Sequence, residues 1–488
     1  MLLKDLVEVL EVEASAGDLE IEITGISYDS RKIEPGDVFV AIEGFETDGH
    51  KYIQEAVDKG AKAIIVEKEL IEFKVPMIKI DDTRLALAKI SRAFYDYPDK
   101  ELKIIGVTGT NGKTTTTFLI EGILTELERQ TGLIGTIKNK VGDKELTAGR
   151  TTPESVDLNK MFKEMKKNKA EFVVMEVSSH ALDLGRVAGI EFNRQVFTNL
   201  SQDHLDYHKS FAEYLKIKTE LFKLNERPSI INLDDENADK IIKQANGDVI
   251  SYGLADEAEF QAQEIAVDLT GTSYLLSAKG EQHQVKLNLT GEFNVYNSLA
   301  AIATVYSLGF KLADIAAAIK KVPGVPGRFQ LIEQGQDFGV IVDYAHSPDG
   351  MENVLKTAAG ITTGKQIVVF GCGGDRDRTK RPIMGRLGVE LADFAIVTSD
   401  NPRSEEPAEI IAEIETGIKE LDKKKGEDYI IIEDRGEAIK KAVEIAEAGD
   451  TILIIGKGHE TYQTFKDKTI DFDDREVART ALQQRSEA

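Results

Sequence analysis

The feature that most constrains the fold is a glycine-rich segment, Gly109-Thr110-Asn111-Gly112-Lys113-Thr114-Thr115, which lies between two differently patterned stretches. Residues 102–108 before it are mostly apolar and β-branched, which predicts a buried strand. After it, Ile120, Ile123 and Leu124 recur at helical spacing. A strand that passes through a glycine turn into a helix predicts an α/β unit.

The same segment has the chemistry of a phosphate-binding loop. Glycines let backbone N–H groups approach phosphate oxygens, and the N-terminus of a helix favours negative charge. Lys113 would neutralise the β- and γ-phosphates, and Thr114 could bind Mg²⁺. Five residues separate Gly106 from Gly112, whereas the common motif has four. The alternative is a glycine turn that contains a lysine by coincidence.

Chain length and turn residues divide the chain into three domains. The chain has 488 residues, and domains usually have roughly 100–200 residues each. Pro98 and two Pro-Gly turns within 322–327 mark boundaries, because neither a helix nor a strand continues through such turns. We predict a small N-terminal α/β domain over 1–99, a central P-loop-type ATP-binding α/β domain over 100–328, and a C-terminal Rossmann-like α/β domain over 329–488.

Composition narrows the class of protein. The formal net charge of -24 opposes attraction to a nucleic-acid backbone or an anionic membrane. One cysteine, Cys372, cannot form an intramolecular disulfide, and we find no signal-peptide pattern and no apolar run long enough to span a membrane. We therefore expect a cytoplasmic enzyme or nucleotide-driven switch that binds neither nucleic acid nor membrane.

Two further strand patterns of the central domain end in reactive residues, as expected where ligands bind at the carboxyl ends of a parallel sheet. Glu176 follows the strand pattern at 172–175 and could hold the metal of a bound nucleotide. The segment 198–208 contains His204 and His208 together with two aspartates. An isolated histidine is more often a helix cap or a core hydrogen-bond donor, so this segment also has a structural interpretation.

The C-terminal domain has three strand ends of the same kind. Residues 371–381 combine glycines with four basic residues, which indicates either an anion site or a solvated basic face. Residues 400–403 and 456–460 include Arg403 and Glu460. An arginine at one strand end could bind a carboxylate while a glutamate at the next binds an ammonium group. A zwitterionic ligand would satisfy both.

Together these motifs resemble those of the Mur ligases, ATP-dependent enzymes that add amino acids to the peptidoglycan precursor. Among them the sequence is similar to the MurE type, which adds the third residue. The matching blocks run through the whole chain: Asp29–Arg31, Gly36–Ala41, Gly109–Thr115, Thr151–Glu154, Glu176–His180, Thr198–His208, Gly291–Asn297, Asp343–Pro348, Gly371–Arg376, Asp400–Arg403 and Gly456–Glu460.

The resemblance implies a reaction in peptidoglycan precursor synthesis. ATP would phosphorylate the D-glutamate γ-carboxylate of UDP-N-acetylmuramoyl-L-alanyl-D-glutamate, and the amine of meso-diaminopimelate would attack the acyl phosphate. It also implies Mg²⁺ as a cofactor, a first domain that binds the UDP-substrate, a last domain that binds the amino acid, and a monomeric protein.

The resemblance assigns residues to these ligands. The UDP-substrate positions are Tyr28, Ser30, Phe45, Glu46, Thr47, Arg150, Thr151, Thr152, Ser178 and Arg186. The ATP positions are Gly109, Thr110, Asn111, Gly112, Lys113, Thr114, Thr115, Asn297, Arg328 and Asp343. The diaminopimelate positions are Arg376, Asp400, Asn401, Pro402, Arg403, Gly456 and Glu460. The catalytic positions are Lys113, Glu176, His204 and Lys218.

The implied metal site includes a modified lysine. Thr114, Glu176 and His204 match magnesium ligands, and Lys218 matches a lysine that members of the family carry as a CO₂-derived carbamate. A carbamate is an anion that could bind a second Mg²⁺ or orient a phosphate. By its own sequence context Lys218 is a surface helix residue, and Lys216 is an alternative for the same role.

Substrate choice depends on Arg403. Diaminopimelate has one carboxylate more than lysine, and Arg403 could bind it. The alternatives are a lysine-adding member of the same family, the related folylpolyglutamate synthetases, and, from another class, a P-loop regulatory switch. The sequence departs from the family at Arg150, where relatives commonly have asparagine.

Overall fold

The computed structural model describes residues 1–44, 47–68, 74–203 and 205–487. It divides into two compact units, the first formed by Met1–Gln261 with Tyr296–Ile315 and the second by Ala262–Val295 with Ala316–Ala488. The predicted α/β class is confirmed, since each unit contains parallel strands joined by helices. The domain boundaries at 99 and 328 remain predictions.

The first part of unit 1 is a five-stranded sheet in the order β1-β5-β4-β3-β2. Strands β2 to β5 are parallel, and β1 pairs with β5 in the antiparallel direction. The strands are β1 (Ala14–Ala16), β2 (Gly25–Ser27), β3 (Asp37–Val40), β4 (Ala63–Val66) and β5 (Met77–Lys79), and the helices are α1 (Leu3–Val7), α2 (Ile53–Asp58) and α3 (Thr83–Phe94).

A second sheet of unit 1 places the glycine-rich segment at the carboxyl end of a central strand. Within unit 1 its order is β13-β12-β11-β6-β10-β7-β8-β9, parallel from β13 to β7 and antiparallel beyond. The strands are β6 (Lys103–Thr108), β7 (Thr131–Ile134), β8 (Lys138–Val141), β9 (Lys144–Thr147), β10 (Phe172–Glu176), β11 (Phe192–Phe197), β12 (Ser229–Asn232) and β13 (Val249–Gly253). Strands β7 and β10 are buried at every residue, as in parallel sheets covered on both faces.

The helices of this part lie in the connections between the strands. They are α4 (Lys113–Glu126), α5 (Ser155–Lys167), α6 (Ser179–Asp183), α7 (Leu205–His208), α8 (Phe211–Thr219) and α9 (Ala238–Ile242). Strand β14 (Phe260–Asp268) and the helices α10 (Glu292–Ser307) and α11 (Leu312–Ile319) cross the points where the units divide. The core packs Leu158, Phe162 and Met165 of α5 against the apolar strand residues.

Unit 2 contains a six-stranded sheet in the order β17-β18-β22-β19-β20-β21, parallel except for β17. Its strands are β17 (Gln330–Leu331), β18 (Gly339–Asp343), β19 (Gln366–Phe370), β20 (Phe394–Val397), β21 (Tyr429–Ile431) and β22 (Thr451–Ile455). Outside this sheet, unit 2 also contains the antiparallel pairs β15 (Gly271–Ala278) with β16 (Glu281–Leu287), and β23 (Tyr462–Thr464) with β24 (Thr469–Asp471).

Helices cover both faces of this sheet, and each face has its own apolar cluster. They are α12 (Pro348–Ala359), α13 (Lys380–Leu391), α14 (Pro407–Lys419), α15 (Arg435–Ile445) and α16 (Asp474–Glu487). A doubly wound sheet of this kind binds ligands beyond the carboxyl ends of its strands. Within the part of the chain that the model describes, we find no helix with the length and apolar character that crossing a membrane requires.

Candidate active site

The glycine-rich segment forms a tight loop between β6 and α4. Gly109 and Gly112 both have positive φ, +152° and +82°, and α4 begins immediately after Gly112. A Cβ atom at Gly109 would collide with the Thr198 hydroxyl, and one at Gly112 would collide with the Asn297 side chain. Both positions therefore require glycine for space as well as for backbone conformation.

Two lysines meet at one carbonyl of this loop. Lys113 Nζ donates to the carbonyl oxygens of Gly109 and Thr110, each at 2.8 Å. Lys218 Nζ, from α8, donates to the same Gly109 oxygen at 2.7 Å. The Lys113 cation and the N-terminus of α4 make this loop suited to a polyanion such as a nucleotide phosphate.

Lys218 is 1% exposed, so its assignment to the surface is wrong, whereas Lys216 on the same helix is exposed. Tyr214 accounts for part of this burial, because its ring centroid lies 4.7 Å from Lys218 Nζ. Burial lowers the pKa of Lys218 well below its ordinary value, and the Lys113 ammonium lowers it further. The Lys218 amine is thus biased towards its neutral form.

The oxygen atoms of Glu176 and Thr114 lie side by side. Glu176 ends β10 and is 1% exposed, and its Oε2 accepts from the Thr114 hydroxyl at 3.1 Å. Thr136 donates to the same carboxylate through its backbone N–H at 2.8 Å and its hydroxyl at 3.0 Å. This pair of oxygen donors fits Mg²⁺, which prefers carboxylate and hydroxyl ligands.

Thr136 is a site residue that the sequence motifs do not indicate. It follows β7, so its position at the carboxyl end of a parallel strand was the signal that could have indicated a site residue. His204, the remaining magnesium-ligand prediction, lies outside the described residues. Among those that are described, no group of three or more histidine, cysteine, aspartate or glutamate side chains is placed to hold a metal ion.

The segment after β11 packs against the loop from the other side. The Thr198 hydroxyl donates to the Asn111 carbonyl at 2.6 Å, and the Asn111 N–H donates to the Asn199 side chain at 2.9 Å. His208 is buried, and its Nε2 lies 2.9 Å from the Ser179 hydroxyl, which favours the structural interpretation of this histidine.

Residues assigned to the UDP-substrate form two groups in unit 1. In the first, the Thr152 hydroxyl donates to the Glu176 carbonyl at 2.8 Å and accepts from the Ser178 N–H at 3.1 Å, and Arg186 donates to the Thr152 carbonyl at 3.2 Å. The Thr151 hydroxyl lies 3.0 Å from the hydroxyl of Thr136. These side chains thus adjoin the end of β10 that carries Glu176.

Arg150 and Arg186 share one carboxylate. Arg186 Nε lies 2.9 Å from Glu154 Oε1, and Arg150 also forms an ion pair with Glu154. Arg150 is therefore a second cation beside Arg186.

The second group lies in the N-terminal part. The Tyr28 hydroxyl donates to Asp157 at 2.9 Å, Ser30 is buried, and the Thr47 hydroxyl lies 3.1 Å from the Tyr52 hydroxyl. Burial and the Asp157 carboxylate raise the pKa of Tyr28. Phe45 and Glu46 lie outside the described residues.

The remaining ATP positions belong to different units. Asn297 is in unit 1, where its side chain accepts from the Thr116 hydroxyl at 3.4 Å. In unit 2, Asp343 accepts from the backbone N–H groups of Phe329 and Ala345 at 2.6 and 2.7 Å, and the Arg328 guanidinium lies 4.5 Å from the Tyr344 ring centroid. Burial raises the pKa of Asp343, and Arg328 opposes that rise.

The residues assigned to diaminopimelate come together at three strand ends of unit 2. Asn401 Nδ2 donates to Glu460 Oε2 at 2.8 Å, and Gly456 packs so closely on Asp400 that a Cβ atom would crowd its carboxylate. The Gly374 N–H donates to the Asn401 carbonyl at 2.9 Å, and Arg403 Nη1 donates to the Gly374 carbonyl at 2.7 Å.

The basic residues of 371–381 do not form one solvated face. Arg381 is fully buried and forms ion pairs with Glu405 and Glu413, and Arg378 also pairs with Glu413. Arg376 is exposed, and its Nη1 donates to the Asp375 carbonyl at 3.1 Å. Arg376 thus remains the candidate anion ligand, while Arg381 holds the loop.

Family models match most of the chain. The model described as "Mur ligase family, catalytic domain" matches residues 22–95, "Mur ligase middle domain" matches 107–305, and "Mur ligase, glutamate ligase domain" matches 327–458. The family resemblance stated from the motifs is therefore confirmed, and with it the class of ATP-dependent amide-bond-forming ligases.

Curated relatives and a solved structure agree with these models. The chain is 47% identical over 490 residues to UDP-N-acetylmuramoyl-L-alanyl-D-glutamate--2,6-diaminopimelate ligase of Clostridium tetani, covering 99% of this chain and 100% of the relative. It is 48% identical to the ligase of the same name from Clostridium botulinum, covering 93% and 94%. A solved structure under that enzyme name has a TM-score of 0.72 and 35% identity and covers 99% of both chains. The chain belongs to the Mur ligase family.

Proposed function

We propose that this protein adds meso-diaminopimelate to the D-glutamate γ-carboxylate of UDP-N-acetylmuramoyl-L-alanyl-D-glutamate at the expense of ATP, in peptidoglycan precursor synthesis. The observation that carries the proposal is the loop at 109–115, where Lys113 and Lys218 share the Gly109 carbonyl. The names of the full-length relatives support the choice of substrates.

The reaction proceeds by activation of a carboxylate. A γ-carboxylate oxygen attacks the γ-phosphorus of ATP, ADP leaves, and an acyl phosphate forms. The free amine of diaminopimelate then attacks the acyl carbon, inorganic phosphate leaves, and the nitrogen loses a proton. Phosphoryl transfer involves little covalent chemistry by the protein, so the role of Lys113 is to neutralise charge on the transferred group.

The proposed magnesium ligands are Thr114 and Glu176, together with His204 from the sequence. When bound by these residues, Mg²⁺ would neutralise negative charge on the phosphates. Glu176 is oriented for this role before any ligand binds, because Thr136 holds both of its carboxylate oxygens. Thr152 restrains the backbone at the same residue by its bond to the Glu176 carbonyl.

Lys218 is suited to become a carbamate. A neutral amine reacts with CO₂ and releases a proton, whereas an ammonium group does not react. Burial and Lys113 lower the pKa of Lys218 and so favour the reactive form. The product is an anion beside the Lys113 cation, and its remaining N–H can still donate to the Gly109 carbonyl.

The same geometry supports the proposed substrate positions. Thr151, Thr152, Ser178 and Arg186 lie next to the end of β10, which supports their contact with the reacting end of the UDP-substrate. Arg150 would extend that contact through the shared Glu154. We assign the uridine end to Tyr28, Ser30 and Thr47, with Phe45 and Glu46 from the sequence.

The amino acid would lie between opposite charges in unit 2. Arg376 and Arg403 would bind its carboxylates, and Glu460 with Asp400 would bind the ammonium group at the far end. Diaminopimelate has the second carboxylate that an extra arginine can bind, whereas lysine does not. This difference supports meso-diaminopimelate over L-lysine.

The test is phosphate release with ATP, Mg²⁺ and the UDP-substrate, with meso-diaminopimelate or L-lysine added in parallel and the product mass measured. We expect amino-acid-dependent release and a tripeptide product with diaminopimelate alone. Lys113→Ala should abolish turnover, whereas Lys216→Ala, which changes an exposed lysine of α8, should leave it unchanged. Product with lysine would refute the proposed specificity for diaminopimelate. ATP hydrolysis at a rate that neither amino acid changes would indicate a regulatory switch.

We further propose that the protein is a cytoplasmic monomer. The single cysteine, Cys372, is buried and unpaired, which is compatible with a reducing compartment. Light scattering of the purified protein should give about the mass of one chain, 53.8 kDa. A mass of two or more chains at micromolar concentration would refute the monomer.

A further inference from the structure

Lys457 is a buried lysine in the middle of the residues assigned to the amino acid. It follows β22 and lies between Gly456 and Gly458, which both have positive φ. Its side chain is 0% exposed. A buried ammonium group is costly unless it is paired and hydrogen-bonded, so its partners indicate why it is there.

Lys457 donates to two side chains that are both proposed contacts of the amino acid. Its Nζ donates to Glu460 Oε2 at 3.0 Å and to Asn401 Oδ1 at 3.2 Å. The Tyr462 ring centroid lies 5.5 Å from the same nitrogen. Lys457 therefore joins the loop after β20, which contains Asn401, to the loop after β22, which contains Glu460.

These contacts fix the orientation of the Asn401 amide. Its Oδ1 accepts from Lys457 and from the Thr464 N–H at 2.9 Å, and its Nδ2 donates to Glu460 Oε2 at 2.8 Å. The opposite orientation would bring the amide NH₂ group towards two donors. Asn401 thus uses its amide oxygen and one amide N–H to hold its neighbours, and among the described residues no acceptor is found for its other amide N–H.

The same contacts divide the Glu460 carboxylate into two unlike oxygens. Oε2 accepts from both Lys457 and Asn401. For Oε1 we find no hydrogen-bond donor among the residues that the model describes, and the side chain is 15% exposed. The carboxylate therefore offers one oxygen, in a fixed position, to an incoming ammonium group.

A buried pair of this kind is weak evidence for a role in stability. The desolvation of two charges offsets much of their attraction, and apolar side chains of similar volume often serve the fold as well. The Lys457–Glu460 pair is better explained by what it does to the orientation of Glu460. A fixed carboxylate binds a ligand without first losing side-chain freedom.

We propose that Lys457 is a positioning residue for the amino acid, which holds Glu460 and Asn401 so that Glu460 Oε1 faces the ammonium group of the substrate. The inference rests on the proposed function, since it takes the amino acid to bind at these strand ends. Lys457 itself touches neither the substrate nor the reacting atoms in this proposal.

The test is a double-mutant cycle with Lys457→Met, Glu460→Gln and the double variant, with Lys466→Met as an exposed-lysine control. We expect each single change to raise KM for the amino acid about tenfold or more, with KM for ATP and for the UDP-substrate unchanged. Because Lys457 acts through Glu460, the double variant should be no worse than the poorer single variant. It also removes both buried charges, so it should fold even if Lys457→Met does not.

The outcomes separate this inference from the proposed function. If the increases in KM for the amino acid multiply in the double variant, the positioning role is refuted. It is also refuted if kcat falls, or KM for ATP rises, by the same factor as KM for the amino acid rises. An unchanged KM in Lys457→Met would also refute it while the ligase activity stands. If L-lysine is the substrate, the same cycle applies to its KM. Turnover with neither amino acid would overturn both proposals.

Discussion

At the scale of single residues, the burial of Lys218 opposes folding in the protein without ligands. Its amine is enclosed by α8 and the loop after β6, and Lys113 adds a second positive charge nearby. An unfolded chain would hold this lysine protonated at neutral pH, whereas the folded chain disfavours the proton. Groups that serve a reaction commonly reduce stability in this way.

Lys218→Met should reveal this effect as a dependence on pH. Between the lowered pKa of Lys218 and its ordinary value of 10.5, the unfolded chain binds more protons than the folded one, so wild-type stability rises with pH. The variant lacks this contribution. We expect the free energy of unfolding of wild type, relative to that of the variant, to rise by up to about 1.4 kcal/mol per pH unit. Urea unfolding from pH 7 to 9.5 without CO₂ measures this difference.

Lys216→Met is the matched control, because Lys216 is exposed on the same helix. Its difference from wild type should stay constant with pH. If Lys218→Met also shows a constant difference, Lys218 is not deprotonated by the fold and the carbamate proposal loses its basis.

The two lysines also show what a sequence can reveal about single residues. Residues two apart on a helix point in different directions, but the pattern Tyr214-Leu215-Lys216-Ile217-Lys218 does not show which side faces the interior. Only the packing of α8 beside the phosphate-binding loop decides it. Lys457 was missed for the same reason, since its burial depends on two loops that are distant in sequence.

At the scale of elements, the glycine loop joins β6 to α4 by a left-handed residue with no space beside it. Gly112→Ala should cost roughly 1–2 kcal/mol for the backbone conformation and more for the collision with Asn297. We expect ATP binding to fall at least tenfold, measured by calorimetry. The loop cannot keep its N–H groups aligned while Asn297 is displaced.

Gly185→Ala is the control for backbone strain alone. Gly185 also has positive φ, +64°, but an added Cβ atom would have no neighbour within 4 Å. It should show the conformational cost and leave ATP affinity unchanged. Equal losses of ATP affinity in both variants would mean that the space around Gly112 is unimportant.

A buried ion pair joins α15 to α16. Arg435 binds Asp474 through two bonds of 2.7 Å and also donates to the Ile455 carbonyl at 3.0 Å. Asp474→Asn leaves a buried charge uncompensated and should destabilise unit 2 by about 3–5 kcal/mol. Hydrogen exchange of the β22 amides measures this local stability.

Removing both members of the pair should be less harmful than removing one. Arg435→Met with Asp474→Leu replaces the charges by apolar groups, so exchange protection should exceed that of Asp474→Asn alone. If the double variant is less stable than Asp474→Asn, the pair stabilises unit 2 more by its hydrogen bonds to the strand ends than by the balance of its charges.

The elements themselves were largely predictable. The strand pattern at 102–108 corresponds to β6 over Lys103–Thr108, and the helical spacing after the loop corresponds to α4. Buried parallel strands are continuous apolar runs, which makes them visible in a sequence. The antiparallel pair β15 and β16 was not predicted, because its alternating pattern leaves no such run.

At the scale of the whole molecule, the charge of -24 acts against compactness. Charges of one sign repel more strongly in the folded state, where they are closer together. Salt screens this repulsion, with a Debye length of about 30 Å at 0.01 M and about 8 Å at 0.15 M. The structure therefore implies a stability that depends on ionic strength.

We expect the midpoint of thermal unfolding to rise by a few degrees between 10 and 200 mM NaCl, measured by calorimetry. KCl should raise the midpoint by the same amount. With an uncharged sugar at equal osmolarity, the midpoint should not show the same dependence on concentration. A midpoint that falls with salt would show that attractive ion pairs, such as Arg381 with Glu405, outweigh the net repulsion.

The order of three domains was predictable from the sequence, because proline-containing turns and repeated strand patterns are local signals. Three family models in the same order agree with it. The division into compact units was not predictable, since it assigns residues 262–295 to unit 2 and 296–315 to unit 1. Such an exchange depends on tertiary packing, which leaves no mark on local composition.

The order of the second sheet of unit 1 has a consequence for how the protein behaves in concentrated solution. The sheet ends in β9, whose four residues are all exposed. A strand in that position offers unpaired N–H and C=O groups on which another chain could assemble. Lys144 and Glu145 place charges on this edge strand, and Glu145 forms an ion pair with Lys138 of β8. This edge strand therefore discourages fibre-like stacking of one molecule on the next.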